Sequence, residues 1–229
     1  LYLQHALRMQ QQAELTARLD ALQAQIRPHF LYNSMNTIAS MITIDPAGAE
    51  RMIEELAALF RASFSERNAV PLVDELNLLR SYLHIEQIRM GERLTVNWQI
   101  DSGLDTVEIP GVCLQPLAEN AIMHGLLPRK NVGGELYIGF ENYKNGIRAT
   151  VRDNGIGIAP EDIPRLAERF YRVDRGRSRA TGGTGLGLAI VKHIANRHNA
   201  RLNIDSELGT GSAFSLVLPE NRLQVARAC

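Results

Sequence analysis

From residue 1 to 27 the chain mixes Leu and Ala with Gln and Arg and contains no glycine, a strongly helical composition. Leu15, Leu19, Leu22 and Ile26 recur at steps of four, three and four, the seam of a two-stranded coiled coil. Upstream the same register meets Gln12, Arg8 and His5, where the seam weakens. Such a stripe serves either an amphipathic helix packed on its own chain or a dimerising signalling helix that runs into the next segment. A second helix is expected from about Ala47 to Ser65, with Met52, Leu56, Leu59 and Phe60 on one face, after a turn at Ile44-Asp45-Pro46. Two helices joined by a short turn form a hairpin, and two hairpins form a four-helix bundle. A third helical stretch follows Pro71 and carries Glu75, Leu76, Leu79, Tyr82, Leu83, Glu86, Ile88 and Arg89 up to Gly91.

Beyond Gly91 the apolar period changes to two. Val96, Trp98 and Ile100 alternate, Val107-Glu108-Ile109 reads as a short strand, and Leu136, Ile138 and Phe140 alternate again. Asn145-Gly146 is a hairpin turn that returns the chain through Ile147, Ala149 and Val151; late strands fall at Leu202–Ile204 and around Phe214, Leu216 and Leu218. Strands joined as hairpins, with helices gathered on one face, predict a two-layer α/β sandwich rather than a doubly wound parallel sheet. The whole is an α+β chain with expected divisions 1–27, 28–67, 68–221 and 222–229.

The balance of 25 basic and 25 acidic residues, with a pI of 7.2, leaves no electrostatic footprint for direct nucleic-acid binding. Cys113 and Cys229 match no metal or redox spacing, and Cys113 is expected in the core. No run of apolar residues reaches the length of a membrane helix. The chain begins at Leu1 inside a helical pattern, so it is expected to be a piece of a longer protein whose upstream part is missing.

Candidate chemistry starts at Arg27-Pro28-His29-Phe30-Leu31-Tyr32-Asn33-Ser34-Met35-Asn36, where Pro28 suits a helix opening and Asn33 lies one turn along the same face as His29. Alone, a histidine beside Phe30 and Leu31 is ordinarily a packing residue. Four later motifs change that reading. Gln115 to Gly125 carries Glu119, Asn120 and His124 among apolar residues, and an Asn carbonyl oxygen suits Mg²⁺. In Asp153-Asn154-Gly155-Ile156-Gly157 a carboxylate can accept from an adenine amino group, and Gly155 and Gly157 allow close backbone approach. Phe170 sits in Glu168–Arg172 amid Arg165, Arg175, Arg177 and Arg179, a set able to cover a nucleotide and meet its phosphates. Gly182-Gly183-Thr184-Gly185-Leu186-Gly187-Leu188 opens a helix, a phosphate site by geometry and dipole; no strand immediately precedes it, which separates it from a dinucleotide fingerprint. Each motif alone also reads as a surface pair, a turn or a solvated loop.

The His29 segment, Tyr82-Leu83-His84-Ile85-Glu86 with Arg89, and Leu114–Asn120 together closely resemble the LytS-like sensor histidine kinases, over roughly residues 20–155 and nearest the alginate-regulator sensor of pseudomonads. The resemblance implies a dimeric phosphoacceptor hairpin bearing His29 and a Bergerat-type ATP-binding domain over 68–221. It further implies Asn120 on Mg²⁺, Asp153 on adenine, Gly155, Gly157 and Thr210 around the adenine pocket, and His124 on the nucleotide side. From about residue 160 to 219 the chain instead resembles the phosphate-sensor kinase of the Pho regulon, with Glu168–Arg172 and Gly182–Leu188 similar to its F and G2 boxes. This mixture implies a chimaera, engineered or recombined, joined near 152–165, or a natural hybrid. The activity implied is transfer of the ATP γ-phosphoryl group to His29, then to an aspartate of a response-regulator receiver domain. Phe30 stands where many larger-class kinases carry an acid after the histidine, so Glu119 is the candidate helper base. Asn33 resembles the residue that orients water for dephosphorylating the partner, which would make the enzyme bifunctional. The expected setting is the cytoplasmic part of an inner-membrane homodimer. The rival readings are a kinase-like nucleotide-binding scaffold without phosphotransfer, and a Bergerat ATPase or protein-serine kinase, which leaves Pro28–Asn36 unexplained.

Overall fold

The computed structural model describes residues 28–63, 69–129, 132–173 and 185–219. The expected seam over 1–27, the segment Gly182-Gly183-Thr184, the arginines Arg175, Arg177 and Arg179, and the 222–229 tail lie outside them.

Helices α1 (Pro28–Met41) and α2 (Pro46–Ser63) form the expected hairpin. Within α1, Ser34 Oγ donates to Phe30 O at 2.8 Å, which lets this polar side chain be fully buried. Asp45 ends the turn: its Oδ1 accepts the Gly48 N–H at 2.9 Å, and Pro46 takes the first helical position, where no N–H is needed. Met52, Leu56 and Leu59 are the buried stripe of α2, as their spacing predicts.

Helix α3 (Leu72–Met90) is the spine of the molecule, packed against α1 and α2 on one side and against the mixed layer on the other. Its buried positions therefore cover more than one face, from Leu72, Leu76 and Leu79 through Tyr82, Leu83 and Ile85 to Met90, while Val73, Asp74, Asn77 and Arg80 stay exposed. It ends at Gly91, whose φ of +60° favours glycine. Two carboxylates are buried along it, Glu75 and Glu86. Glu75 Oε2 accepts the Val112 N–H at 2.8 Å and Oε1 the Leu114 N–H at 3.0 Å, tying α3 to the entry of the next helix. Burial raises the Glu75 carboxyl above its ordinary range against the pull of these N–H groups. Glu75→Ala would leave both amides without their acceptor and is expected to cost about 3 kcal/mol of unfolding free energy, measured by denaturant titration.

Strands β1 (Ala69–Pro71) and β3 (Glu108–Pro110) pair as a small antiparallel ribbon, so the Val107–Ile109 strand joins this ribbon rather than the main sheet. The main sheet has the order β2-β4-β5-β7-β6, from β2 (Leu94–Ile100), β4 (Gly134–Asn142), β5 (Gly146–Asp153), β6 (Arg201–Glu207) and β7 (Gly211–Pro219). β2 and β4 run parallel and the other pairs antiparallel. Leu136, Ile138, Phe140, Ile147, Ala149, Val151, Phe214, Leu216 and Leu218 are buried, as the alternation predicts, in one core with Leu117, Ala118, Ile122 and Val191 from the helices. Cys113 is buried with them. The layer is the expected two-layer sandwich, completed by α4 (Gln115–Asn120) and α5 (Gly187–Arg197). The helix from Gln115 runs on past Gly125, but Ala121–Leu126 widens into a π-helical turn closed by Leu127 N–H to Ile122 O at 2.8 Å.

Candidate functional site

Strand β5 delivers Asp153 at its end. The side chain is only 4% exposed, and its Oδ1 accepts the Gly155 N–H at 2.8 Å. Its Oδ2 is buried and has no hydrogen-bond partner. Glycine surrounds it: a Cβ on Gly125 would lie 2.4 Å, and one on Gly155 2.5 Å, from Asp153 Oδ1. A Cβ on Gly211 would lie 2.1 Å from the Asp153 carbonyl oxygen. The π-turn carries Gly125 onto the carboxylate, and Ile156 N–H donates to Gly125 O at 3.1 Å. Gly157 turns the chain at φ +70°, where a Cβ would meet Glu207 O at 2.0 Å. Burial pushes the Asp153 carboxyl up to about 6, partly offset by the backbone N–H groups of Gly155 and Ser212. A buried carboxylate with one oxygen satisfied and the other unpartnered has the chemistry to receive an exocyclic amino group of a flat base. Thr210 is exposed in the β6–β7 turn, next to Gly211, with its N–H donating to Glu207 O at 3.1 Å.

On α4, Asn120 Nδ2 donates to Pro116 O at 2.6 Å, which commits the amide nitrogen and turns the remaining carbonyl oxygen into the group offered to a ligand. That is a hard oxygen donor of the kind Mg²⁺ takes alongside phosphates and water. The start of α5 lies beside it, since a Cβ on Gly187 would stand 3.4 Å from Asn120 Nδ2. His124 is exposed on the π-turn. Among the described residues no group of three or more His, Cys, Asp or Glu could hold a metal ion, so a cation here would draw its other ligands from phosphate and water.

A narrow crevice, with room for about one water, runs between α1, α3 and the Asn120 helix, lined by His29, Phe30, Asn33, Tyr82, Glu86, Arg89, Glu119 and Met123. His29 is exposed at its edge. Asn33 Nδ2–H donates to His29 Nδ1 at 3.1 Å, with Nε2 at 3.4 Å. In this arrangement Nδ1 is the acceptor and the ring proton sits on Nε2; with the Asn33 amide turned over, its Oδ1 would accept Nδ1–H and leave Nε2 bare. Phe30 anchors the segment by stacking on Tyr82, ring centroids 5.3 Å apart at 41°.

The Glu168–Arg172 segment lies against the glycine motif. Phe170 N–H donates to Gly185 O at 3.0 Å, and a Cβ on Gly185 would meet Tyr171 O at 2.9 Å. Phe170 itself is 69% exposed, at φ +64°. Tyr171 OH donates to Asp162 Oδ1 at 2.5 Å, Arg165 stacks over the Tyr171 ring at 4.2 Å, and Arg172 has a buried Nη2 without a hydrogen-bond partner. Leu186 and Gly187 follow at the start of α5, while Gly183 and Thr184 fall outside the described residues. The structure thus brings Gly155 against Asp153 and Gly157 against the end of β6, Asn120 to the start of α5, and His29, Asn33 and Glu119 into one cleft.

Residues 17–94 match the family model described as histidine kinase, and residues 110–222 match that of the histidine kinase-, DNA gyrase B- and HSP90-like ATPases. The chain belongs to the histidine kinases. The second match makes the mixed layer the ATP-binding domain of this kinase. The sensor histidine kinase YpdA of Escherichia coli (strain K12) is 34% identical over 213 residues, covering 92% of this chain and 35% of that protein. The sensor histidine kinase/phosphatase LytS of Staphylococcus aureus (strain MRSA252) is 32% identical over 209 residues, covering 90% of this chain and 35% of that protein. The kinase chain therefore spans about a third of the length of these curated relatives. Its fold is also that of full-length ShkA in complex with AMPPNP, with a TM-score of 0.57 at 21% identity over 96% of this chain and 47% of that one. Among the described residues no helix is long and apolar enough to cross a membrane.

Three site residues of this kinase do not follow from motif reading alone. Gly125 and Gly211 are contact surfaces of Asp153 that only the packing reveals, although each closes a motif already marked by Asn120 or Thr210. Arg89 lines the His29 cleft from α3, and its spacing of three from Glu86 was the available signal.

Proposed function

We propose that this chain catalyses Mg-ATP-dependent autophosphorylation of His29 and passes the phosphoryl group to an aspartate on a response-regulator receiver domain. The observation that carries the reading is the single cleft lined by His29, Asn33 and Glu119, one helix from the Asn120 site. His29 presents the ring, and Asn33 selects which ring nitrogen is unprotonated. With Asn33 Oδ1 on Nδ1–H, Nε2 attacks; the Nε2–P bond forms as the bond from the γ-phosphorus to the β–γ bridging oxygen breaks, and the electron pair leaves with ADP. The phosphorylated ring then releases its Nδ1 proton past Asn33 to solvent or to Glu119, which lines the same crevice and is the candidate acceptor. Asn120, through its free amide oxygen, would hold Mg²⁺, which would supply neutralising charge on the phosphates. Asp153 holds the adenine amino group through its unpartnered oxygen, and Gly155, Gly157 and Thr210 form the walls. Phe170, Gly185, Leu186 and Gly187 belong to the cover and phosphate loop, Gly183 and Thr184 are assigned to phosphate binding by their sequence motif alone, and His124 lies on the nucleotide side.

The same reading divides the chain into a signalling helix over 1–27, a phosphoacceptor hairpin over 28–67, the ATP-binding domain over 68–221 and a tail. Tyr32, Met35 and Ile53 are exposed on the hairpin, the apolar surface that a second copy would cover in a homodimer. Asn33 beside the acceptor ring is also where a water could be oriented for dephosphorylating the regulator, the second activity named for the Staphylococcus aureus relative. The whole protein carries its sensor or membrane segment upstream, with this portion in the cytoplasm. In this reading the first part is of the alginate-regulator type and the stretch from about 160 to 219 of the Pho-regulon type. Joined near 152–165, the two parts make a chimaera or, as the alternative, a natural hybrid; one uninterrupted genomic match would decide for the latter.

The test is incubation of the purified chain with γ-labelled ATP and Mg²⁺, followed by acid and base treatment. Acid-labile, base-stable label is the expected product. Absence of label from protein that binds nucleotide would instead support the scaffold reading.

A further inference from the structure

We propose that Arg89, held by Glu86, is a catalytic residue of the phosphoryl transfer: its guanidinium receives the γ-phosphate in the His29 cleft. The inference rests on the histidine-kinase reading above.

Of the eight side chains lining that cleft, Arg89 carries the only permanent positive charge, opposite the carboxylates of Glu86 and Glu119. A γ-phosphate brought to His29 past Glu119 enters a space with two carboxylates, and without a cation there the approach is repulsive. The transfer spreads negative charge over three equatorial oxygens, which a planar guanidinium fork matches and a point charge does not. Pre-placed charge lowers the barrier because nothing has to reorganise when the reaction occurs.

The support of Arg89 has the form this role requires. Glu86 is 2% exposed and its Oε2 takes both Arg89 Nε–H, at 3.0 Å, and Arg89 Nη2–H. One carboxylate oxygen therefore fixes one edge of the guanidinium and leaves Nη1 for another acceptor. Three residues apart on α3, the pair is locked by the same helix that Glu75 ties to the start of α4. A buried ion pair is weak evidence for stability as such, since desolvation offsets most of its attraction. A pair retained at the rim of the acceptor cleft is better explained by what the cation does there.

The test compares the wild-type chain with the double variant Glu86→Gln plus Arg89→Gln, which removes both charges together and leaves no buried carboxylate alone. ATP and ADP affinities are measured with Mg²⁺ by calorimetry, and label on His29 is followed at saturating ATP. The expected result is a folded variant with ADP affinity unchanged, ATP affinity reduced toward that of ADP, and labelling slowed by about 100-fold or more. Arg89→Lys restores part of the ATP preference and little of the rate. Equal loss of ATP and ADP affinity would assign the pair a structural role and overturn the proposal, as would labelling at the wild-type rate. If the wild-type chain takes no label, the histidine-kinase reading fails by itself, and the ATP-to-ADP ratio still judges Arg89.

Discussion

His29→Ala is expected to abolish acid-labile label while leaving nucleotide affinity within about twofold of wild type, because exposed substitutions away from packing cost little. The structural reason lies in how α1 is held. Phe30 stacks on Tyr82 and Ser34 and Ile38 are buried, so the helix stays in place without the imidazole. The recorded side-chain partner of His29 is Asn33 on the next turn, and removing the ring leaves that amide in partly exposed surroundings rather than orphaned in the core. Asp153, its glycine cradle and Asn120 sit on other elements. Label and nucleotide binding should therefore separate cleanly, label by filter or gel assay and binding by calorimetry. Retained label in His29→Ala would move the acceptor elsewhere and sink the kinase mechanism proposed here. Asn33→Asp adds a finer readout, since a carboxylate can only accept: it would hold the proton on Nδ1 and keep Nε2 nucleophilic, whereas Asn33→Leu removes that choice.

What could be read before the fold was known divides along physical lines. The β-layer was legible because its inward positions alternate strictly: Leu136, Ile138 and Phe140, then Ile147, Ala149 and Val151, are all buried in register. The hairpin was legible from its punctuation, since Asp45 and Pro46 do the capping that their residue types favour. The π-turn at Ala121–Leu126 was not, because nothing in the residue types there distinguishes a wide turn from a continued helix; it is imposed by Gly125 packing on Asp153. Val107–Ile109 reads as a strand in either location, and its partner at Ala69–Pro71 is set by the path of α3 rather than by any local pattern. The nucleotide motifs were legible as motifs, but burial of Glu86 and its hold on Arg89 appear only once α3 is seen to lie between two layers. A helix buried on most of its faces cannot announce by periodicity which of its polar residues face a cleft.

Asp153→Asn is expected to weaken nucleotide binding by about 100-fold at pH 7 without lowering the melting temperature, the loss being that of a hydrogen bond a polar pocket was built to make. An Asn is the same shape, but its amide carries one acceptor where two are needed. With Oδ1 kept on the Gly155 N–H, Nδ2 faces the adenine amino group, donor against donor; turned over, it faces Gly155 instead. The pH dependence of the wild type supplies an independent check. Burial raises this carboxyl from 3.8 to about 6, so the folded chain binds a proton between those values that the unfolded chain has released. The Asp153 contribution to the stability of the nucleotide-free chain is therefore present below pH 3.8 and is lost as pH rises through about 6. Nucleotide affinity moves the other way, because the ionised carboxylate is the form that accepts from adenine. Below about pH 6 the dissociation constant should rise about tenfold per unit in the wild type and stay nearly flat in Asp153→Asn, measured by calorimetry across pH 5 to 8. A wild-type affinity that does not change across that range would mean that Oδ2 meets something other than the base, and the pocket would then have to be assigned again from Asn120 outward.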